Sequence, residues 1–324
     1  MASSQGERPV ERPVERRRVR RRDLASTAGA GARALVAAAT ERLRAAGSPS
    51  PRLDAELLVA HAFGRDRTWV HAHPEASLDE PEARRLDEWL ARRATGEPIA
   101  YIRGYKEWFS LRIATDSRAL IPRPETELLA EAAIEEIAGR LVRDDAPISA
   151  WEVATGSGAG ALALALRFRA ALTLGRVRLA ASDISAEALE LASENLSAHG
   201  VAGLVTLGCG DLLEPAVLPA PLLPDVVIAN LPYVTSAEVE AGAGSLRFEP
   251  RAATDGGADG MDVIRRLLEQ LPERLAAGGV ALLEVGDGQA EAIRQLLPAL
   301  PMPAEMATLA DLSDVQRVVR IDRL

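Results

Sequence analysis

One cysteine in 324 residues, Cys209, leaves no partner for an intramolecular disulfide and excludes a cysteine-built zinc cluster. It fits a reducing compartment. The four histidines show no ligand spacing such as His-Glu-x-x-His, so no metal is expected. Aromatic residues make up 3% of the chain, and Ala, Leu and Val stand in their place, giving an aliphatic core. Positive charge is in deficit. A net charge of -9 and a pI near 5.2 argue against broad nucleic-acid binding, which needs a basic surface to neutralise phosphates. No apolar run approaches the roughly 20 residues of a membrane span. The longest, residues 161–166, is closed by Arg167 and Arg169. The N-terminus lacks the apolar core of a secretion signal. These absences imply a soluble, cytoplasmic chain with no membrane partner, and a monomer is expected.

The composition that remains, 48% hydrophobic and 26% charged, is that of a globular protein with one large domain and a smaller one. Residues 1–26 alternate Arg, Glu, Pro and Val and end in an arginine cluster; they cannot bury enough apolar surface to fold and read as a disordered tail. Residues 27–95 read as a small helical bundle, with amphipathic stretches over 52–63 and 81–93. Residues 96–120 hold many of the few aromatics and read as a linker and hairpin. Residues 121–127 (Ile-Pro-Arg-Pro-Glu-Thr-Glu) open a new helix, with Pro124 and acidic residues in its first turn. From residue 121 to 324, strands and helices alternate, which predicts a doubly wound α/β domain. Strands are expected at 148–153, 177–182, 205–208, 225–229 and 280–285, with a last pair within 306–321. The clearest helix spans 185–199, with Ser185 as N-cap and Gly200 as terminator.

Two strand exits carry chemistry. After the first parallel strand comes Ala154-Thr155-Gly156-Ser157-Gly158-Ala159-Gly160, a turn whose glycines let the backbone approach a ligand. Asp183 ends the next strand, where an acid binds ribose hydroxyls; the bland alternative, a helix cap with Ser185, is compatible with it. Asp211, after Gly210, could accept from an adenine amino group while Leu212 packs on the ring; a surface turn acid is the alternative. A ribose acid beside a glycine turn also fits NAD. The turn departs from G-x-G-x-x-G, however, and no Tyr-Lys or His pair for hydride transfer is present. S-adenosylmethionine, with ribose and adenine but no phosphate, needs only what is seen.

The second exit is Asn230-Leu231-Pro232-Tyr233, after the β-branched run 225–229. Asn230 and the Leu231 carbonyl can each accept one N–H of a planar NH2 group. Pro232 biases Leu231 toward extended backbone, and Tyr233 offers an aromatic face. A plain strand-exit turn is the bland reading. A binding module that keeps the fold without turnover is the non-enzyme reading.

Together these stretches resemble the release factor glutamine methyltransferases (the HemK/PrmC family). The matching segments are Gly96-Glu97-Pro98-Ile99, Ile121-Pro122-Arg123-Pro124, the glycine turn, Arg247-Phe248-Glu249-Pro250, Asp255-Gly256-Gly257 and Gln316-Arg317-Val318-Val319. The resemblance implies a seven-stranded Rossmann-like sheet, mostly parallel with one antiparallel strand, as in S-adenosylmethionine-dependent methyltransferases, preceded by the helical bundle. It implies methylation of a glutamine side-chain nitrogen in a peptide chain release factor, the bundle helping to dock that partner. Residues 154–158, Asp183, Asp211, Leu212 and Asn230 would line the methyl-donor site, and residues 230–233 would hold the glutamine. The alternatives are a ribosomal-protein glutamine methyltransferase and an adenine-N6 nucleic-acid methyltransferase. Three departures stand out. Glu152 and Ala154 replace the family's Asp-x-Gly, Ala being tolerable unless that position needs positive φ. Leu231 replaces the first proline of Asn-Pro-Pro-Tyr. Residues 311–315 replace a glycine-rich tract.

Overall fold

A computed structural model describes residues 29–143, 145–214, 217–218, 222–242 and 244–324. The expected N-terminal tail lies outside the described residues. The described residues divide into two compact units, the first within 29–45 and 49–91, the second within 46–48 and 92–324.

The first unit is helical. Helices Ala32–Ala45 and Pro51–Ala62 pack together through Leu35, Ala39, Leu43, Leu58 and Val59, all buried, and Leu86 and Leu90 of the helix Glu80–Ala94 are buried as well. Each side chain recurs at a three- or four-residue interval, so the apolar stripe faces one way. Pro51 opens its helix where a missing N–H costs nothing.

The second unit begins with a hairpin of β1 (Tyr105–Trp108) and β2 (Leu111–Ala114). Its two-residue turn puts Phe109 and Ser110 at positive φ, as a tight hairpin requires. Trp108 and Ile113 are buried in this unit's core, so the segment expected as a linker is part of the second unit. The helix expected to open at Ile121 starts later, at Thr126. The Arg123 carbonyl accepts from the Trp108 indole at 2.8 Å, which holds the preceding residues extended.

Seven strands follow: β3 (Ile148–Val153), β4 (Val177–Asp183), β5 (Val205–Cys209), β6 (Val226–Asn230), β7 (Val280–Glu284), β8 (Ala304–Ala310) and β9 (Gln316–Arg323). They form one sheet in the order β5-β4-β3-β6-β7-β9-β8. Five adjacent strands, β5-β4-β3-β6-β7, join through four parallel pairings, and β9 runs antiparallel to both its neighbours, which gives the expected architecture. Side-chain alternation sorts the core into two layers. Ile148, Ala150, Val226, Ile228, Val280 and Leu282 join one apolar cluster with the helices Thr126–Arg143, Ala159–Arg167 and Ala186–Ala198. Trp151, Val153, Val227, Ala229, Ala281 and Leu283 join the other with Asp262–Arg274 and Gln289–Leu296. Both faces are covered, which is why these strands read as continuous apolar runs. No helix among the described residues is long and apolar enough to cross a membrane.

Candidate active site

Residues 154–158 leave the carboxyl end of β3, and residues 230–233 leave that of its neighbour β6. From β3 the chain builds outward through β4 and β5, then crosses back to β6 on the other side. The two exits therefore flank the point where strand order reverses, the usual ligand crevice of an open α/β sheet. A cleft opens there, lined by Ala154, Thr155, Gly156, Ser157, Asp183, Asp211, Leu212, Asn230, Leu231 and Pro232. Tyr233 instead lines a smaller adjoining pocket that shares Asn230 and Leu231. Gly158 lines neither, contrary to the expectation for it. It stands before the helix Ala159–Arg167 at φ 76°, and an added Cβ would sit 2.8 Å from the Ala192 Cβ. Its role is to let two helices meet.

Asp183 accepts from the Gly156 N–H and the Ser185 N–H, each at 2.9 Å, tying the glycine turn to the end of β4. The helix cap itself is Ser185, whose Oγ accepts from the Ala188 N–H at 3.1 Å. Burial raises the Asp183 carboxyl above its usual range, against the pull of those backbone bonds. Each carboxylate oxygen keeps a lone pair for a hydroxyl in the cleft. Asp211 is ion-paired with Arg266 of the helix Asp262–Arg274, and both side the cleft. Leu212 adopts φ 48° and sits between the cleft and the second apolar layer.

The two departures at the turn have structural consequences. Ala154 lies at φ 55°, so this position does need the left-handed region that glycine adopts freely. Left-handed backbone costs an L-residue about 1–2 kcal/mol, part of which is offset by the alanine's stiffer unfolded chain. Ala154→Gly should raise stability by about 0.5–1 kcal/mol, seen as a higher urea midpoint at constant slope. An unchanged or lower midpoint would mean the turn carries no strain.

The Glu152 carboxylate reaches under the next helix, accepting from the Ala161 N–H at 2.8 Å and from the Thr155 hydroxyl. A Cβ on Gly160 would come within 1.9 Å of Glu152 Oε1, so the longer acid fits because residue 160 is glycine. Burial pushes the Glu152 carboxyl up to about 7, with the Asp183 charge adding to it. The folded chain thus keeps a proton that an unfolded glutamate, at 4.5, releases. Stability falls as pH rises from 4.5 to 7, by at most about 3 kcal/mol from this group. Asp183 and Glu284 shift the same way. The difference between parent and Glu152→Gln therefore isolates Glu152: the variant should lose that part of the pH slope in urea titrations. Parallel curves would contradict the assignment.

At the β6 exit, Asn230 Nδ2 donates to Thr126 Oγ1 at 3.1 Å. Its Oδ1 makes no hydrogen bond among the described residues, nor does the Leu231 carbonyl. Leu231 is 2% exposed, so its side chain anchors the loop in the core and its backbone is fixed. The Tyr233 hydroxyl donates to Glu284 Oε1 at 3.3 Å; burial, then the Glu284 charge, push that phenol up to about 12. Gln289 Nε2 donates to the Tyr233 and Gly260 carbonyls, both at 3.1 Å, clamping the loop from behind. Asn230 and Leu231, which carry these two acceptors, line the same cleft as Gly156 and Asp183. That arrangement can receive an NH2 group.

Residues 34–104 match the model of the PrmC N-terminal domain. The chain is 37% identical over 285 residues to the release factor glutamine methyltransferase of Koribacter versatilis (strain Ellin345), covering 87% of this chain and 94% of that protein. It is 34% identical over 285 residues to that of Rhodopirellula baltica, covering 88% and 93%, and 35% identical over 271 residues to that of Pseudomonas aeruginosa, covering 84% and 92%. This chain belongs to the release factor glutamine methyltransferase family. Solved structures that it resembles include more remote proteins. The hMettl16 catalytic domain in complex with a MAT2A 3'UTR hairpin aligns at 14% identity and a TM-score of 0.48 over 74% of this chain and 81% of that one, too distant to bear on function.

The family's two most specific segments meet over the cleft. Arg123 of Ile-Pro-Arg-Pro is paired with Glu249 of Arg-Phe-Glu-Pro at 2.6 Å, and Glu249 Oε2 also accepts from the Ile121 N–H at 3.2 Å. Arg247 of the same segment donates to the Thr95 carbonyl, and the neighbouring Gly96 lies at φ 95°, left-handed backbone that favours glycine. These segments match the family's pattern, and nothing local in the sequence gives them a place in the site. Arg118, Thr126, Pro250 and Arg266 also line the cleft and carried no local signal. Among the described residues, no group of three or more His, Cys, Asp or Glu could hold a metal ion.

Proposed function

We propose that this chain transfers a methyl group from S-adenosylmethionine to the side-chain amide nitrogen of a glutamine in a peptide chain release factor, in the cytoplasm. The observation that carries this reading is the pair of unpaired acceptors, Asn230 Oδ1 and the Leu231 carbonyl, in the cleft that Asp183 and the glycine turn close. Three arginines line that cleft, and each is committed to a carboxylate: Arg118 to Asp116 and Glu194, Arg123 to Glu249, Arg266 to Asp211. The lining suits a phosphate-free nucleoside, with Asp183 accepting from ribose hydroxyls and Leu212 against the base. S-adenosylmethionine supplies, when bound, a methyl on a positively charged sulfur.

An amide nitrogen is a poor nucleophile because its lone pair is delocalised into the carbonyl. Asn230 and the Leu231 carbonyl would each take one N–H, fixing the nitrogen's direction and favouring the positive charge that grows on it. No strong base is required: as the nitrogen–methyl bond forms and the sulfur–methyl bond breaks, the nitrogen turns acidic, and the one proton it sheds passes to water, leaving a neutral N-methyl amide and a neutral thioether. Tyr233, held by Glu284, would border the amide from the adjoining pocket. Labelled methyl transfer to purified release factor, ribosomal protein and rRNA tests the reading. Label in the release factor is expected; label only in ribosomal protein or rRNA would replace this substrate with one of the alternatives.

A further inference from the structure

Gln289 ties together three loops: the exit of β6 (residues 230–236), the stretch 254–262 that leads into the helix Asp262–Arg274, and the exit of β7 (residues 285–289). The first two are already paired through their backbones. The Val234 N–H donates to the Thr254 carbonyl at 3.0 Å, the Gly256 N–H to the Val234 carbonyl at 2.8 Å, and the Ser236 N–H to the Gly257 carbonyl at 2.9 Å. They lie so close that a Cβ on Gly256 would sit 2.6 Å from the Pro232 carbonyl oxygen, and one on Gly260 would overlap that of Tyr233. Gln289 adds the third loop. Its Oε1 accepts from the Gly286 N–H at 2.9 Å, and its Nε2 gives one hydrogen each to the Tyr233 and Gly260 carbonyls. The amide can point only this way, because reversing it would set an oxygen against two carbonyls. Gln289 itself lines neither the cleft nor the adjoining pocket.

We propose that Gln289 is a positioning residue for the methyl transfer: by fixing the Tyr233 backbone it fixes the Leu231 carbonyl and Asn230, the acceptors assigned to the substrate amide. This rests on the proposed transfer to an amide and names a residue on which its rate depends. Only Pro232 separates the clamped Tyr233 from Leu231. Its ring locks φ and restricts Leu231 in turn, so a restraint at Tyr233 is passed along the chain with little loss. The Tyr233 and Val234 carbonyls are bonded on the side of residues 254–260, to Gln289 and to the Gly256 N–H, whereas the Leu231 carbonyl is left without a partner among the described residues. Leu231 also stands where the family carries a further proline. The loop therefore lacks one covalent restraint on φ, and hydrogen bonds from outside it take that part. The donor half is independent of this clamp, since the Gly156 N–H and Asp183 bond to each other.

The test uses the full chain, purified release factor and S-adenosylmethionine. Gln289→Met keeps the length of the side chain and removes its hydrogen bonds to Gly286, Tyr233 and Gly260. Gln289→Asn keeps an amide but is one methylene too short to reach the two carbonyls. Turnover is read by label transfer per folded molecule, donor affinity by calorimetry, and stability by urea unfolding. Gln289→Met should lower kcat by about tenfold, one neutral hydrogen bond's worth of alignment, and Gln289→Asn by about threefold. The Kd for S-adenosylmethionine should stay within about twofold of the parent's in both, which separates lost alignment from lost donor binding. A merely structural role would lower the urea midpoint and leave kcat per folded molecule as it was. Should Gln289→Met not fold, the milder Gln289→Asn decides alone. Folded variants that turn over at the parent's rate, or that lose donor affinity along with kcat, would overturn the inference while leaving the methyl-transfer reading intact. A parent that binds the donor yet leaves the release factor unlabelled would remove both.

Discussion

Replacing Asn230 by alanine is expected to lower turnover by about 10²–10³-fold while donor binding changes by less than about tenfold. The split follows from where the side chain stands. Asn230 Nδ2 is taken by Thr126, which leaves Oδ1, at the carboxyl end of β6, as the acceptor that the proposed transfer assigns to an incoming amide. Removing it takes away one of two acceptors and lets the substrate nitrogen rotate away from the methyl. The glycine turn and Asp183 make their hydrogen bonds to each other and do not depend on Asn230. Label-transfer kinetics together with calorimetric titration of S-adenosylmethionine measure both halves. Retained turnover would defeat the assignment, and lost donor binding would make Asn230 a cofactor residue instead.

The second large effect concerns stability. The Glu249 side chain is 0% exposed and its charge is met by Arg123, which is 29% exposed. Removing one partner of such a pair strands the other charge in the interior, at a cost of about 3–5 kcal/mol, the lower end applying because Arg123 is partly solvated. Arg123→Ala should therefore destabilise the second unit by about 3 kcal/mol. It should also loosen the segment before Thr126, whose Ile121 N–H shares the same carboxylate. Double replacement, Arg123→Leu with Glu249→Gln, should recover much of the loss by removing the stranded charge. Urea unfolding of the single and double variants reads this directly; equal stabilities of parent and Arg123→Ala would show that the pair is solvated in practice.

The layout of the sheet was legible because its causes are local. The runs 148–153 and 225–229 are short and apolar on both faces, which a doubly covered parallel strand requires, and glycine turns or helix caps bound them. The strand exits followed, and with them the glycine turn, Asp183 and Asn230. The positive φ at Ala154 was posed by the sequence as a condition, and only the backbone answered it. What stayed hidden depends on pairing between distant residues. Arg123 and Glu249 are separated by 126 positions, Thr126 and Asn230 by 104, Tyr233 and Gln289 by 56. No periodicity or cap signal links such residues. Gly158 was misread for the opposite reason: it sits in a motif that looks like a ligand turn, yet Ala192 packs where its Cβ would be. Placement of Tyr233 in the adjoining pocket likewise depends on Glu284, fifty-one positions away.

The most direct test is to incubate the full chain with S-adenosylmethionine and purified release factor, digest the product and locate the added methyl by fragment-ion mass spectrometry. The account predicts a single methyl on the side-chain nitrogen of one glutamine, absent when Asn230→Ala replaces the parent. A methyl on any other atom type, or an unmodified factor beside a chain that binds the donor, would contradict it.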